Sequence, residues 1–95
     1  MISLDFKTAP EINKELADRM VRIRKRKKIT QKELASKSGV SYASIRRFES
    51  TGEISLLSFT KIAMILKLQN ELEDLFLNAK YESMEEIFNE QRRKA

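Results

Sequence analysis

The chain has 95 residues, 19 of them Lys or Arg and 14 Asp or Glu, and a formal net charge of +5. Without cysteine it has no disulfide frame or thiolate metal site, and without histidine it lacks the usual general base and the commonest zinc ligand. The composition therefore predicts neither an enzyme nor a metal or cofactor protein. No apolar run approaches membrane-span length and the N-terminus has no basic stretch leading into an apolar core, so a cytoplasmic location with no membrane partner is expected.

Two glycines and one proline leave few helix breakers, which predicts an all-α fold in one small domain with extensions. In chain order, Ile2, Leu4 and Phe6 alternate with Ser3, Asp5 and Lys7, the period of a short strand with one apolar face. A lone strand in such a chain pairs with its copy in a dimer or stays an arm. Thr8 with Glu11 reads as a capping box with Pro10 in the first turn. Ile12, Leu16, Met20 and Ile23 then recur at helical spacing to about Lys27, with Arg19, Arg22 and Arg26 on the outer face. Thr30 with Glu33 is a second capping box, opening a helix to about Ser38, and Ser41 caps a third from Tyr42 to about Glu49. Ser50, Thr51, Gly52 and Glu53 read as a loop. Ser55 can cap a fourth helix, with Leu56, Phe59, Ile62, Ala63 and Leu66 as its apolar stripe. Asn70 and Glu73 open a short fifth, with Leu72, Leu75 and Phe76 apolar. A last capping box, Ser83 with Glu86, predicts a sixth helix carrying Met84, Ile87 and Phe88 to about Arg92, before the basic tip of Arg92, Arg93 and Lys94. The expected division is an arm or dimerising strand over residues 1–8, a helical domain over 9–78 and a helical extension over 79–95.

The functional signal lies between residues 31 and 48. Ala35 stands four residues after Gln31, Gly39 four after that, and apolar side chains follow at Val40, Ile45 and Phe48. A helix–turn–helix needs this spacing. Ala35 is small enough for a second helix to cross close over it, and Gly39 supplies the positive φ of a sharp turn. Val40, Ile45 and Phe48 then pin the second helix, leaving Tyr42, Ala43, Arg46 and Arg47 pointing away, as a helix entering a DNA major groove requires. The charge distribution agrees. Between Arg19 and Arg47 stand eleven basic residues and one acidic one, Glu33, whereas from Glu49 to Glu90 there are nine acidic and three basic. A basic run that overlaps the helix–turn–helix reads as a phosphate-facing surface.

Over residues 12 to 77 the sequence resembles the lambdoid-repressor/Cro type of helix–turn–helix domain, the XRE family. The resemblance is carried by Ile23-Arg24, Ile29-Thr30-Gln31, Glu33-Leu34-Ala35, Gly39-Val40-Ser41, Ile45 and Phe48-Glu49, and continues in Ser55-Leu56, Ile62-Ala63, Leu72, Leu75 and Phe76. It implies a five-helix DNA-binding fold. Tyr42, Ala43 and Arg47 match base-reading positions; Tyr42 could touch a base edge or a phosphate, and Arg47 has the fork that pairs with guanine. Gln31, Lys32, Ser41 and Arg46 fall at phosphate-contacting positions, and a helix N-terminus beside Gln31 favours an anion on independent grounds. Arg24 and Glu49 match a partly buried salt bridge between the first and third helices. Lys28 stands where the family commonly has glycine, and the loop after Glu49 is one residue short and lacks a frequent proline.

Two functions fit. One is a homodimeric, sequence-specific repressor of transcription that binds a palindromic operator in double-stranded DNA. The other is an antitoxin that also represses its own operon. The tail from Tyr81 to Phe88, appended to the DNA-binding unit, resembles the HipB-like antitoxins whose partners are HipA-type kinase toxins.

Overall fold

The computed structural model describes residues 6–79 and 89–92. These residues are all-α, with five helices in the order α1 (Ala9–Arg26), α2 (Gln31–Ser38), α3 (Tyr42–Thr51), α4 (Leu56–Ile65) and α5 (Gln69–Glu73). Residues 89–92 are also helical. The predicted strand at residues 2–6 falls outside the described residues except for Phe6, which is exposed; so does most of the predicted sixth helix.

Four helices begin where a side-chain oxygen satisfies one of their orphan N–H groups. Thr8 and Thr30 each accept from the backbone N–H of Glu11 and Glu33, and those carboxylates accept the cap residue's own N–H in return. Ser41 and Ser55 accept from Ser44 and Ser58. The helices end in two ways. At α1 and α4 a lysine takes the left-handed conformation, Lys28 at φ 58° and Lys67 at φ 63°. Each forms a Schellman closure: Lys28 N–H to Lys25 O and Ile29 N–H to Arg24 O, then Lys67 N–H to Met64 O and Leu68 N–H to Ala63 O. Ile29 and Leu68, just past each closure, are half-buried against the core. At α2 and α3 the left-handed residue is a glycine, Gly39 or Gly52.

The core gathers Ala17 and Met20 of α1, Leu34 of α2, Val40 of the turn, Ile45 and Phe48 of α3, and Ile62, Ala63 and Leu66 around α4. Phe48 meets Phe59 edge-to-face, ring centroids 5.8 Å apart. Helix α3 packs on α1 and α2, α4 rests on α2, and α5 rests on α4.

The structure corrects the sequence reading at several apolar positions. Ile12 and Leu16 stay substantially exposed on α1, and Leu56 is 78% exposed at the start of α4. Helical periodicity marked one face, but no described element covers its N-terminal end in α1. Helix α5 starts at Gln69 rather than Asn70; Leu68 precedes it with no side-chain cap bond, and the backbone closure of α4 leads straight into it. It stops at Glu73, so Leu75 and Phe76 lie beyond it, and both are exposed. Helix α3 runs two residues past Glu49. The hydroxyls of Ser50 and Thr51 both donate to the Arg47 carbonyl, so residues expected to form a loop sit on the helix itself.

Candidate nucleic-acid interface

Helix α2, the Gly39 turn and α3 form the helix–turn–helix. Gly39 has φ 76° and its N–H closes on Ala35 O, which ends α2 and leads into α3 within three residues. Val40, Ile45 and Phe48 are buried on one side of α3, while Tyr42, Ala43, Arg46 and Arg47 are exposed on the other. The same helix therefore serves as core and as presented face.

One guanidinium fixes the angle of this face. Arg24, buried within α1, donates from Nε to Glu49 Oε2 at 2.7 Å and from Nη2 to Glu49 Oε1 at 2.9 Å, and its Nη1 reaches Ile29 O at 2.8 Å. This bidentate pair ties the last turns of α1 and α3 to the connection before α2. The two side chains are only 9% and 11% exposed, so the pair is largely shielded from water. Gln31 joins it, donating from Nε2 to Glu49 Oε1 at 2.8 Å. Arg24 and Glu49 thus serve the frame, and Gln31 is held at the mouth of α2 with its amide nitrogen already engaged. The caps of α2 and α3 each take one backbone N–H, the remaining first-turn N–H groups give a partial positive charge, and at α2 the Glu33 carboxylate offsets it.

The remaining candidate residues divide by their partners. Ser41 is occupied locally: its hydroxyl accepts from Ser44 N–H and donates to Ser44 Oγ at 2.8 Å. Arg47 donates from Nη2 to Glu53 Oε2 at 3.2 Å, an exposed pair across the end of α3. Lys32 and Arg46 both lie over the ring of Tyr42, at 5.6 and 5.5 Å from its centroid. Ala43 is exposed and has no polar group to present. On the α1 flank, Arg19, Arg22, Lys25 and Arg26 are exposed, and Lys25 lines an open groove between α1 and α3 together with Gln31, Ala43, Arg46 and Arg47.

Sequence reasoning missed one residue of this site and one bond. Glu53 falls in an expected loop, and nothing local marks it as the partner of Arg47, because Gly52 turns the chain between them. The Gln31–Glu49 bond joins residues eighteen apart, so only the packing of α2 against α3 reveals it. Glu11 and Glu33 carry carboxyl groups held below their ordinary range, first by the backbone N–H of Thr8 and Thr30 respectively and then by the threonine hydroxyls. These are caps rather than site groups. Among the described residues no cluster of acidic side chains could hold a metal ion, and no helix is long and apolar enough to cross a membrane.

No curated protein and no solved structure gave a significant match. A helix-turn-helix family model matches residues 20–69, more than half of the chain, from the middle of α1 to the start of α5. That span contains the paired helices, the Gly39 turn, the Arg24–Glu49 bridge and the exposed face of α3, and the chain belongs to the XRE-type, lambda-repressor-like family of helix-turn-helix DNA-binding transcription regulators.

Proposed function

We propose that the protein is a sequence-specific repressor that binds a palindromic operator as a homodimer. The observation that carries this reading is the exposed face of α3, whose cations stand on a helix locked to α1 by the buried Arg24–Glu49 pair. Arg47 has the geometry for guanine once its weak, exposed pair with Glu53 opens. Gln31, fixed at the mouth of α2, addresses the backbone. One such domain reads only a few base pairs, so a second copy one helical turn or more away supplies the remaining specificity. Leu75, Phe76 and Leu77, exposed beyond α5, give apolar surface for that second copy.

The test begins with a duplex selected by the full chain from a random-sequence pool. Arg47→Ala should flatten preference across a panel of variants of that duplex, whereas Gln31→Ala should weaken binding to all of them alike. Equal losses across the panel for Arg47→Ala would remove its base-reading role. With about six to ten phosphates neutralised per dimer, log K should fall with log salt at a slope of roughly −5 to −9. Deleting residues 1–7 or 79–95 should weaken dimerisation and operator affinity together. If both truncated chains remain dimeric by light scattering and bind normally, the ends of the chain serve another protein. The antitoxin reading, with a HipA-type kinase as partner, then replaces the simple repressor.

A further inference from the structure

Tyr42 is the first residue of α3, and two cations from different helices converge on its ring. Lys32 reaches it from the first turn of α2, with Nζ 5.6 Å from the centroid. Arg46 reaches it from one turn further along α3, with Cζ at 5.5 Å. Both cations thus stand within about 6 Å of a single ring, whose negative π-faces attract each of them. Lys7, Lys14, Arg24 and Arg47 are paired with carboxylates, but among the described residues neither Lys32 nor Arg46 is.

We propose that Tyr42 works through the face of its ring, holding Lys32 and Arg46 together as one binding point for a single phosphate of the DNA backbone. This makes it a positioning residue rather than a reader of bases. The proposal rests on α3 being the DNA-facing helix. It differs from what the family resemblance implies, a base-reading position for Tyr42. A base contact would use the phenolic hydroxyl, whereas the clamp uses only the ring, and the two are separable by one oxygen atom.

The experiment titrates the full chain against a labelled mixed-sequence duplex about two helical turns long, over a range of salt. Tyr42→Leu should weaken binding about three- to tenfold, and Tyr42→Phe should stay within about twofold of the parent. The leucine variant should also lower the salt slope by about one, since it loosens a phosphate contact. In a Lys32→Ala background the loss from Tyr42→Leu should shrink, because one of the two guests is already gone. A version that leaves the ring intact compares Lys32→Ala, Arg46→Ala and their double variant: sharing one phosphate makes the double loss smaller than the product of the singles. Circular dichroism checks that each variant keeps its helices. If Tyr42→Phe loses as much as Tyr42→Leu, the hydroxyl is the working group and the clamp is overturned. The clamp falls equally if Tyr42→Leu matches the parent in affinity and slope, or if the Lys32 and Arg46 losses multiply in full. A parent chain that ignores duplex DNA altogether would instead overturn the DNA-facing reading of α3.

Discussion

At the end of α2, Gly39 has φ 76°, and a Cβ placed there would meet nothing within 4 Å. At the end of α3, Gly52 has φ 85°, and a Cβ would stand 2.7 Å from Lys14 N and 2.8 Å from Asn13 C. Both glycines close a helix in the left-handed region, but only the second lies against another backbone. The first turn is a local requirement that the chain direction imposes. The second is a tertiary requirement: α1 passes so close that no side chain fits. Lys28 and Lys67 extend the comparison, since α1 and α4 end in the same left-handed region without a glycine at all. A left-handed closure at a helix end is thus optional for glycine, and becomes obligatory only where a second element leaves no room.

The sharpest way to break this comparison is to add one methyl group at each turn. Gly52→Ala should cost about 2–5 kcal/mol, combining roughly 1–2 kcal/mol for an L residue in the left-handed region with about 1–3 kcal/mol for displacing α1. Its urea midpoint should fall well below that of Gly39→Ala, which carries only the conformational part, about 1 kcal/mol. Equal midpoints would show that α1 yields to the methyl and that the close approach is not a constraint. Smaller again is Lys28→Gly. Relief of roughly 1–2 kcal/mol of left-handed strain is partly offset by about 0.4–1 kcal/mol of added unfolded-state freedom, so thermal unfolding should shift slightly upward. A downward shift would mean that the lysine side chain contributes more than its backbone costs.

The smallest effect concerns the starts of the helices rather than their ends. Glu11 and Glu33 have carboxyl groups lowered from 4.5 by their bonds to the capping threonines. A folded-state value below the unfolded one means that their contribution is complete above about 4.5 and is lost as pH falls through the lowered values. A shallow decline in stability should appear in that acidic window, and Glu33→Gln should make it shallower. An unchanged profile would move the acid sensitivity elsewhere.

The sequence made the local rules legible and left the long-range ones hidden. Thr8, Thr30, Ser41 and Ser55 each announced a helix start, because a cap bonds to a residue three places on. Gly39 was legible because its offset from Ala35 and Val40 is a local signature. Gly52 was not, since its reason is the backbone of Lys14, thirty-eight residues earlier. The same limit explains the candidate site. Arg24 and Glu49 could be paired only through family resemblance, Gln31 and Lys32 acquire their partners only when α2 and α3 are folded together, and Glu53 meets Arg47 only once Gly52 has turned the chain. Apolar periodicity overstated the core for Ile12, Leu16 and Leu56 because a period identifies a face and not what covers it.

The division of α3 into a buried and a presented side has a consequence for redesign. Ile45 and Phe48 hold the helix in place, whereas the side chains of Ala43, Arg46 and Arg47 project outward and contribute nothing to the core. Even the bonds from Ser50 and Thr51 fall on the main-chain carbonyl of Arg47, which any amino acid would supply. Exchanges at positions 43, 46 and 47 to residues other than proline and glycine should therefore change stability by no more than about 0.5 kcal/mol, as is usual for surface positions. The helix can be rewritten like the bit of a key while the shank stays the same. A library varied at those three positions without proline or glycine, with Arg24, Glu49 and Gly52 kept, should yield folded domains throughout, and its members changed at 43 and 47 would test how far a preference for DNA sequence can be reprogrammed.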